Sequence, residues 1–411
     1  MNSLPESRSA RRTFLGQTVL SGVALAGLTS RLSAASPSES ALRVGLIGAG
    51  ERGTFLLGEL LSAAERLNVR LIGVADVWSR NREAAANRVR ERQGTTPRTF
   101  ARYGELLAMP DLDAVIIATP DFSHGTLLNA SLAANKDVYI EKPMTIDMES
   151  ANRALDAARE RQRVVQVGTQ RRSEGRFRAA AKFLADRPLG AISRVTAEVN
   201  FNQARWLRKT EDCVAADVDW EAFRLHLPDR PFDAALLRRW QLYRETSNGM
   251  SGLWMTHYAD AVHLLTGAAY PSRAVALGGT YVWKDGRQHT DTFHTVLEYP
   301  EGFLFSWGMG LGNGVGTSFT VHGTKGTLDV EKWAVTPEPG AGATLTVREI
   351  PAGEGESHME NWLRCLRTRE RPNADIQFGH QHVVATMMAA MALETGQRQV
   401  YDRDRRVIRA G

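Results

Sequence analysis

Two side chains in this sequence have the chemistry to move a proton on and off an oxygen atom, and they lie far apart in the chain. The first is Lys142. It follows the apolar run Val138–Ile140 within DVYIEKPMT, residues 137–145, which reads as a buried strand delivering Glu141, Lys142 and Pro143 to the turn beyond it. In an open parallel sheet, ligands bind outside the carboxyl ends of the strands. A lysine there can hold and transfer a proton, and the following proline stiffens the turn that aims it. Standing alone, such a lysine reads first as a solvated strand-end residue. The second group is His257, in GLWMTHYADAVHLLTG, residues 252–267, a helix closed by its glycine. His257 and Asp260 share a helix face. An imidazole near Lys142 supplies the second proton-transfer group that carbonyl–alcohol chemistry needs, with an ordinary pKa near operating pH. Asp260 would hold that ring in one tautomer or contact a substrate hydroxyl. On its own, the helix would take His257 as a packed or surface histidine; His263 reads as structural.

For those groups to meet a ligand, the chain before Lys142 must build a rim to hold one. Leu42–Ile47 is a buried-strand run that breaks into Gly48-Ala49-Gly50-Glu51-Arg52-Gly53. Gly48 permits a tight turn, Gly50 lets backbone approach a pyrophosphate, and Gly53 allows close helix–strand packing. A helix over about 54–65 would point its positive end at that phosphate. A second strand, Arg70–Ala75, ends in Asp76. A carboxylate there accepts hydrogen bonds from the adenosine ribose and repels a 2′-phosphate, which favours NAD over NADP. Arg80 and Arg82, close behind, keep NADP open. Asp76 is also a good N-cap for the next helix. DAVIIATP, residues 113–120, describes a third buried strand, and its Thr119 and Pro120 would border the nicotinamide. His124 opens and caps the following helix, 125–135. After the EKP turn come a helix over about 147–160 and a strand over 164–168. This alternation is a doubly wound α/β domain, residues 41–168, with a parallel sheet.

The pattern then changes. In residues 191–200, odd positions hold Ala, Ser, Val, Ala and Val while even ones hold Ile, Arg, Thr, Glu and Asn, an alternation that suits a sheet with one exposed face. Further strands are expected over 274–283, 292–299, 303–309, 317–321 and 344–350, making a large, mostly antiparallel, open-faced sheet in an α+β domain, residues 169–411. An aromatic-rich insertion, 211–248, interrupts it, and helices over about 357–367 and 379–395 end the chain.

Composition narrows the function. The 411 residues are 43% hydrophobic and 24% charged, as in a soluble globular protein of two or three domains. Two cysteines, Cys213 and Cys365, are too few for a disulfide scaffold and have no metal-ligand spacing. Residues 1–35 hold Arg8, Arg11, Arg12 and Arg31 against Glu6, so three of the net +5 charges belong to this leader and +2 remain. That balance, with no basic run interleaved with aromatics, argues against nucleic acid. SARRTFLG at 9–16, the apolar stretch Gln17–Leu28 and the tract Ser33-Ala34-Ala35 read as an export signal of twin-arginine type. Its middle is too short to span a bilayer. Such a leader places the folded protein in the periplasm or otherwise outside the cytoplasm.

Together, GLIGAGERG (45–53), ATPDFSH (118–124), EKP (141–143), GTQRR (168–172), the helix of His257 and Asp260, and GTKGTL (323–328) resemble the glucose–fructose oxidoreductase, inositol dehydrogenase and rhizopine-catabolism (Gfo/Idh/MocA) family. The resemblance covers nearly all of the chain after the leader. It implies a Rossmann domain, a sheet domain that often mediates homo-oligomers through its open face, and a dinucleotide cofactor. Lys142 matches the family's catalytic lysine and His257 its catalytic histidine. The cofactor set is then Gly48, Gly50, Glu51, Arg52, Gly53, Asp76, Arg80, Thr119, Pro120, His124, Glu141, Lys142 and Gln170. Arg171, Arg172, Arg205, Arg239 and Trp240 are candidate sugar contacts beside His257 and Asp260, with Trp240 also reading as packing. One departure stands out: family dehydrogenases commonly carry an aspartate four residues before the histidine, and here that position is Leu253.

The family reading is hydride transfer from a sugar carbinol to NAD, with Lys142 or His257 taking the hydroxyl proton and the other steadying the alkoxide. Export adds a constraint, since no free NAD pool exists outside the cytoplasm. The cofactor must be tightly held and returned to its starting state on the enzyme. A ping-pong sugar oxidoreductase does this. So does a redox-neutral glycosidase that oxidises, eliminates, hydrates and reduces. A non-catalytic sugar-binding protein on the same fold is the remaining alternative.

Overall fold

The run Leu42–Ile47 forms β1, and its Val44 and Leu46 are shut away from solvent. Five further strands join it: β2 (Val69–Ala75), β3 (Arg98–Phe100), β4 (Ala114–Ile117), β5 (Asp137–Ile140) and β6 (Val165–Val167). The sheet order is β3-β2-β1-β4-β5-β6 with every pairing parallel. Buried on both faces, β4 (AVII) and β5 (DVYI) are continuous rather than alternating runs, as helices on both sides of a parallel sheet require. The order reverses between β1 and β4, so the crevice outside their carboxyl ends is the expected ligand site. These coordinates come from a computed structural model that describes residues 40–340 and 345–411. The leader, with its arginine pair and expected export signal, lies outside the described residues.

Ten strands form the second sheet: β7 (Ile192–Asn200), β8 (Arg273–Gly279), β9 (Thr292–Tyr299), β10 (Phe303–Gly310), β11 (Thr317–Gly323), β12 (Gly326–Asp329), β13 (Ala334–Pro337), β14 (Arg348–Glu349), β15 (Gln399–Asp402) and β16 (Val407–Ala410). Their order is β14-β13-β12-β11-β7-β10-β9-β8-β15-β16. β7 and β10 run parallel, and the other pairs are antiparallel. The alternation in β7 is realised: Val195, Ala197 and Val199 are buried while Arg194 and Glu198 are exposed. The inner face packs Phe293, Phe305, Trp307 and Phe319 against the helices Gly175–Ala185, Thr256–Thr266 and Ile376–Thr395. On the outer face Val275, Leu277 and Leu304 are exposed.

Three details depart from the sequence expectation. The helix after the glycine turn begins at Glu51, inside the turn, and the one after Pro120 begins at Asp121, so His124 lies within its first turn rather than ahead of it. The helix His358–Thr368, read with the second domain, returns to the first, where Trp362 packs edge-on to Tyr139 at 5.7 Å between ring centroids. The helix of His257 is preceded by a π-turn, Ser251–Met255, and closes at Gly267 in the left-handed region. Single π-turns of this kind recur at functional sites.

The insertion is a strap across the rim of the first domain. Asp219 N–H donates to the Val77 carbonyl at 2.8 Å, Val218 pairs with Trp78 in an isolated bridge, and Phe223 meets Phe122 edge-on at 5.5 Å. Phe122, Phe223, Leu227 and Leu236 make a small apolar cluster there.

Candidate active site

A cavity of about 760 Å³ lies where the ends of β1, β2, β4 and β5 face the strap and the π-turn. At its floor is the glycine turn. Gly48 has φ +87°, and a Cβ on it would stand 2.6 Å from the Ala118 carbonyl oxygen. Gly53 approaches so closely that a Cβ there would meet the Gly48 carbonyl oxygen. At Gly50 a Cβ would meet nothing within 4 Å; the residue faces open cavity and caps the helix with no side-chain hydrogen bond. Its free backbone N–H groups and positive helix end suit a pyrophosphate. Asp76 accepts from Ala49 N at 2.7 Å and Trp78 N at 2.8 Å, which stitches the glycine turn to β2 while the carboxylate still lines the cavity. These residues fit a dinucleotide. Glu51, Arg52, Thr119, Pro120, His124, Glu141 and Gln170 also line this cavity. Glu141, almost fully buried, pairs with Arg52 at 2.7 Å and takes a longer contact from Gln170 at 3.4 Å.

Lys142 and His257 face the same cavity. Lys142 Nζ donates to the Leu253 carbonyl at 2.7 Å, so the π-turn of the second domain holds the ammonium of the first. Burial lowers the Lys142 pKa, with the Asp121 and Glu141 carboxylates resisting. Burial, with Lys142 and Arg171 beside it, pushes His257 well below its ordinary value and keeps the ring neutral. His124 is buried between two carbonyls, with Nδ1 2.7 Å from Pro143 O and Nε2 2.9 Å from Thr119 O. It ties the end of β4 to the EKP turn, a positioning role that its place in the helix makes inevitable.

Asp121 escaped the sequence reading, although it follows Pro120 in the ATPDFSH run. It is buried, lines the cavity and accepts from Ser247 Oγ at 3.1 Å. Burial pushes it up to about 7, against the pull of Lys142. Asp121 thus places a carboxylate of the first domain on the cavity wall, while position 253 offers Lys142 only its backbone carbonyl. A carboxylate in the first turn of a helix, directly after a strand-end Thr-Pro, was the available signal.

Several expected contacts are placed elsewhere. Three residues along a helix turn the side chains about 60° apart, enough to separate His257 from Asp260. Asp260 points inward to a buried ion pair with Arg172 at 2.7 Å, and neither lines the cavity. Arg171 stacks over Tyr258 at 4.4 Å and reaches the His257 carbonyl at 3.4 Å. Arg239 donates to the Arg208 carbonyl at 2.7 Å. Arg80 is drawn to Asp212 of the strap at 2.5 Å, away from Asp76. Gly53 serves packing alone. Trp240 does line the cavity, beside Gln241 of the strap and Arg208 just ahead of the strap, and Arg208 grips Glu51 through two hydrogen bonds of 2.9 and 3.0 Å.

Comparison with known proteins agrees with this geometry. The family profile "Oxidoreductase family, NAD-binding Rossmann fold" matches residues 42–169, and "Oxidoreductase family, C-terminal alpha/beta domain" matches 214–400. An uncharacterized oxidoreductase, YdgJ of Escherichia coli (strain K12), is 28% identical over 56% of each chain. Inositol 2-dehydrogenase of Rhizobium meliloti (strain 1021) is 30% identical over 38% of this chain and 44% of its own. These alignments span about half the length of the curated relatives. The crystal structure of aldose-aldose oxidoreductase from Caulobacter crescentus, complexed with glycerol, superposes with a TM-score of 0.66 at 18% identity, covering 87% of this chain and 99% of that one, a likeness of fold. With both halves matched and the glycine turn in place, the chain belongs to the Gfo/Idh/MocA oxidoreductase family, and its first domain is that family's NAD-binding Rossmann fold.

Proposed function

We propose that this protein is an NAD-dependent oxidoreductase acting on a sugar or sugar derivative, exported by its leader with the cofactor already held. The observation that carries the reading is the meeting of Lys142 and His257, from different domains, on the cavity that also exposes Gly50 and Asp76. Arg80 is committed to Asp212, which supports NAD over NADP. The strap supports a captive cofactor: it crosses the rim beside Trp78 and packs Phe223 against Phe122. Its ion pairs are mostly exposed and contribute about 0–1 kcal/mol each, so the apolar cluster is the stronger fastening. The exposed Val275, Leu277 and Leu304 support an open sheet face that packs against a second copy.

NAD, held by the glycine turn and Asp76, would supply the acceptor for the hydride of the carbinol C–H. The protein's part is protons and position. His257, neutral, takes the hydroxyl proton at a ring nitrogen. Lys142, with the Asp121 and Glu141 carboxylates opposing the effect of its burial, donates toward the oxygen as it becomes alkoxide. Its bond to the Leu253 carbonyl fixes the ammonium before substrate arrives. In the reverse half-cycle His257 gives the same proton to the second carbonyl compound, so the two half-cycles balance without another donor.

The test is the absorbance spectrum of the purified protein. It should show bound nicotinamide without any added, reduced by a sugar and reoxidised by a second carbonyl compound. Cleavage of an aryl glycoside with no acceptor would instead identify the redox-neutral glycosidase, and protein purified free of nucleotide would overturn the captive-cofactor reading.

A further inference from the structure

Arg205 differs from the other arginines of the cavity in having no partner. Arg52 is paired with Glu141, Arg102 with Asp219 and Glu221, Arg208 with Glu51, and Arg238 with the Lys209 carbonyl. Among the described residues, Arg205 meets neither a carboxylate nor a hydrogen-bond acceptor. What it does meet is two aromatic faces: its guanidinium carbon lies 4.5 Å from the Phe201 ring centroid and 5.1 Å from that of Trp254. Trp254 precedes His257 by three residues and lines the cavity with it, so Arg205 stands on the His257 side. The two ring centroids are only 5.2 Å apart, so both rings lie on one side of the guanidinium, and its other N–H donors, a fork matched to a carboxylate, meet no protein acceptor among the described residues. Burial without a compensating anion lowers its pKa.

We propose that the substrate carries a carboxylate, as in a uronic acid or its glycoside, which Arg205 binds beside the carbon served by His257 and Lys142. This rests on the sugar-oxidoreductase reading and narrows it. A carboxylate fits better than a phosphate because Arg205 is the single uncommitted arginine there, Lys142 already standing beside Asp121, and a dianion would call for a second.

The experiment is calorimetry on the protein with its bound NAD, titrated with D-glucuronate, D-galacturonate and D-mannuronate and with the neutral parent of each. At least one uronate should bind tenfold or more tightly than its parent, with the advantage shrinking as salt rises. In Arg205→Gln the preference should vanish, and Arg205→Lys, which keeps charge without the fork, should restore part of it. Unchanged melting temperatures in both variants exclude a folding defect. Equal binding of acids and neutral sugars, binding of none of the acids, a preference that survives Arg205→Gln, or tighter binding of glucose 6-phosphate than of any uronate would each overturn the proposal. The broader reading fails separately: Arg205-dependent uronate binding with no sugar ever reducing the nicotinamide would refute the oxidoreductase and leave the carboxylate site standing.

Discussion

Asp260 gives the sharpest test of how the site is built, because sequence and structure assign it different work. Its helix spacing from His257 suggests a partner for the imidazole or a sugar contact. In the fold, its carboxylate is 1% exposed and meets Arg172, 4% exposed, at 2.7 Å, with a second guanidinium bond to the Asp260 carbonyl at 3.3 Å and the Phe378 ring stacked 3.7 Å away. Asp260→Ala strands that guanidinium in the interior. Removing one partner of a buried pair costs about 3–5 kcal/mol, which for a domain this large lowers the melting temperature by on the order of 10 °C. Replacing both partners, in Arg172→Leu with Asp260→Leu, removes the stranded charge as well as its mate and should recover most of the loss. Calorimetric melting, paired with steady-state turnover at a temperature where every variant is folded, separates the two assignments. A structural Asp260 moves stability and leaves turnover per folded molecule within a few-fold. If Asp260→Ala instead melts within about 1 kcal/mol of the parent while turnover falls a hundredfold, the carboxylate acts on the chemistry and the assignment is wrong.

Lys142→Met should lower turnover by about 10²–10⁴-fold while nicotinamide still co-purifies, measured by stopped-flow reduction and by nucleotide released on denaturation; loss of both would make Lys142 a cofactor anchor. Phe223→Ala, which empties the strap's apolar cluster, should cost about 3–5 kcal/mol of local packing and speed NAD loss during gel filtration, whereas salt, acting only on exposed ion pairs, should do so weakly. Acid should destabilise the fold. His263 is held near 3, and His358 and His380 near 4, all by burial, below an unfolded value of about 6.5. From about pH 6.5 down to 4 the unfolded chain therefore binds protons that the native one refuses, and at pH 5.5 each histidine removes about 1.4 kcal/mol. Denaturant midpoints across that range should fall together, and a flat profile would mean these rings are charged in the native state.

Local chemistry is what the sequence carries by itself. Apolar strand runs ending in Gly48, Asp76, Thr119 and Glu141-Lys142 lie next to the turns they feed, so strand, turn and glycine use could be read within ten residues. The alternation in β7 is equally local, because a half-exposed sheet writes its two faces into neighbouring positions. Tertiary structure decided everything that depends on which distant surfaces meet. Lys142 finds the Leu253 carbonyl only because the π-turn of the second domain packs over the end of β5. Asp121 is buried on the cavity wall against Ser247 of the strap, and no spacing rule connects those positions. Arg172 takes Asp260 out of the cavity, and the strap carries Asp212 to Arg80. A charged side chain that must be desolvated goes to whichever opposite charge the packing brings near, and that choice is made in space.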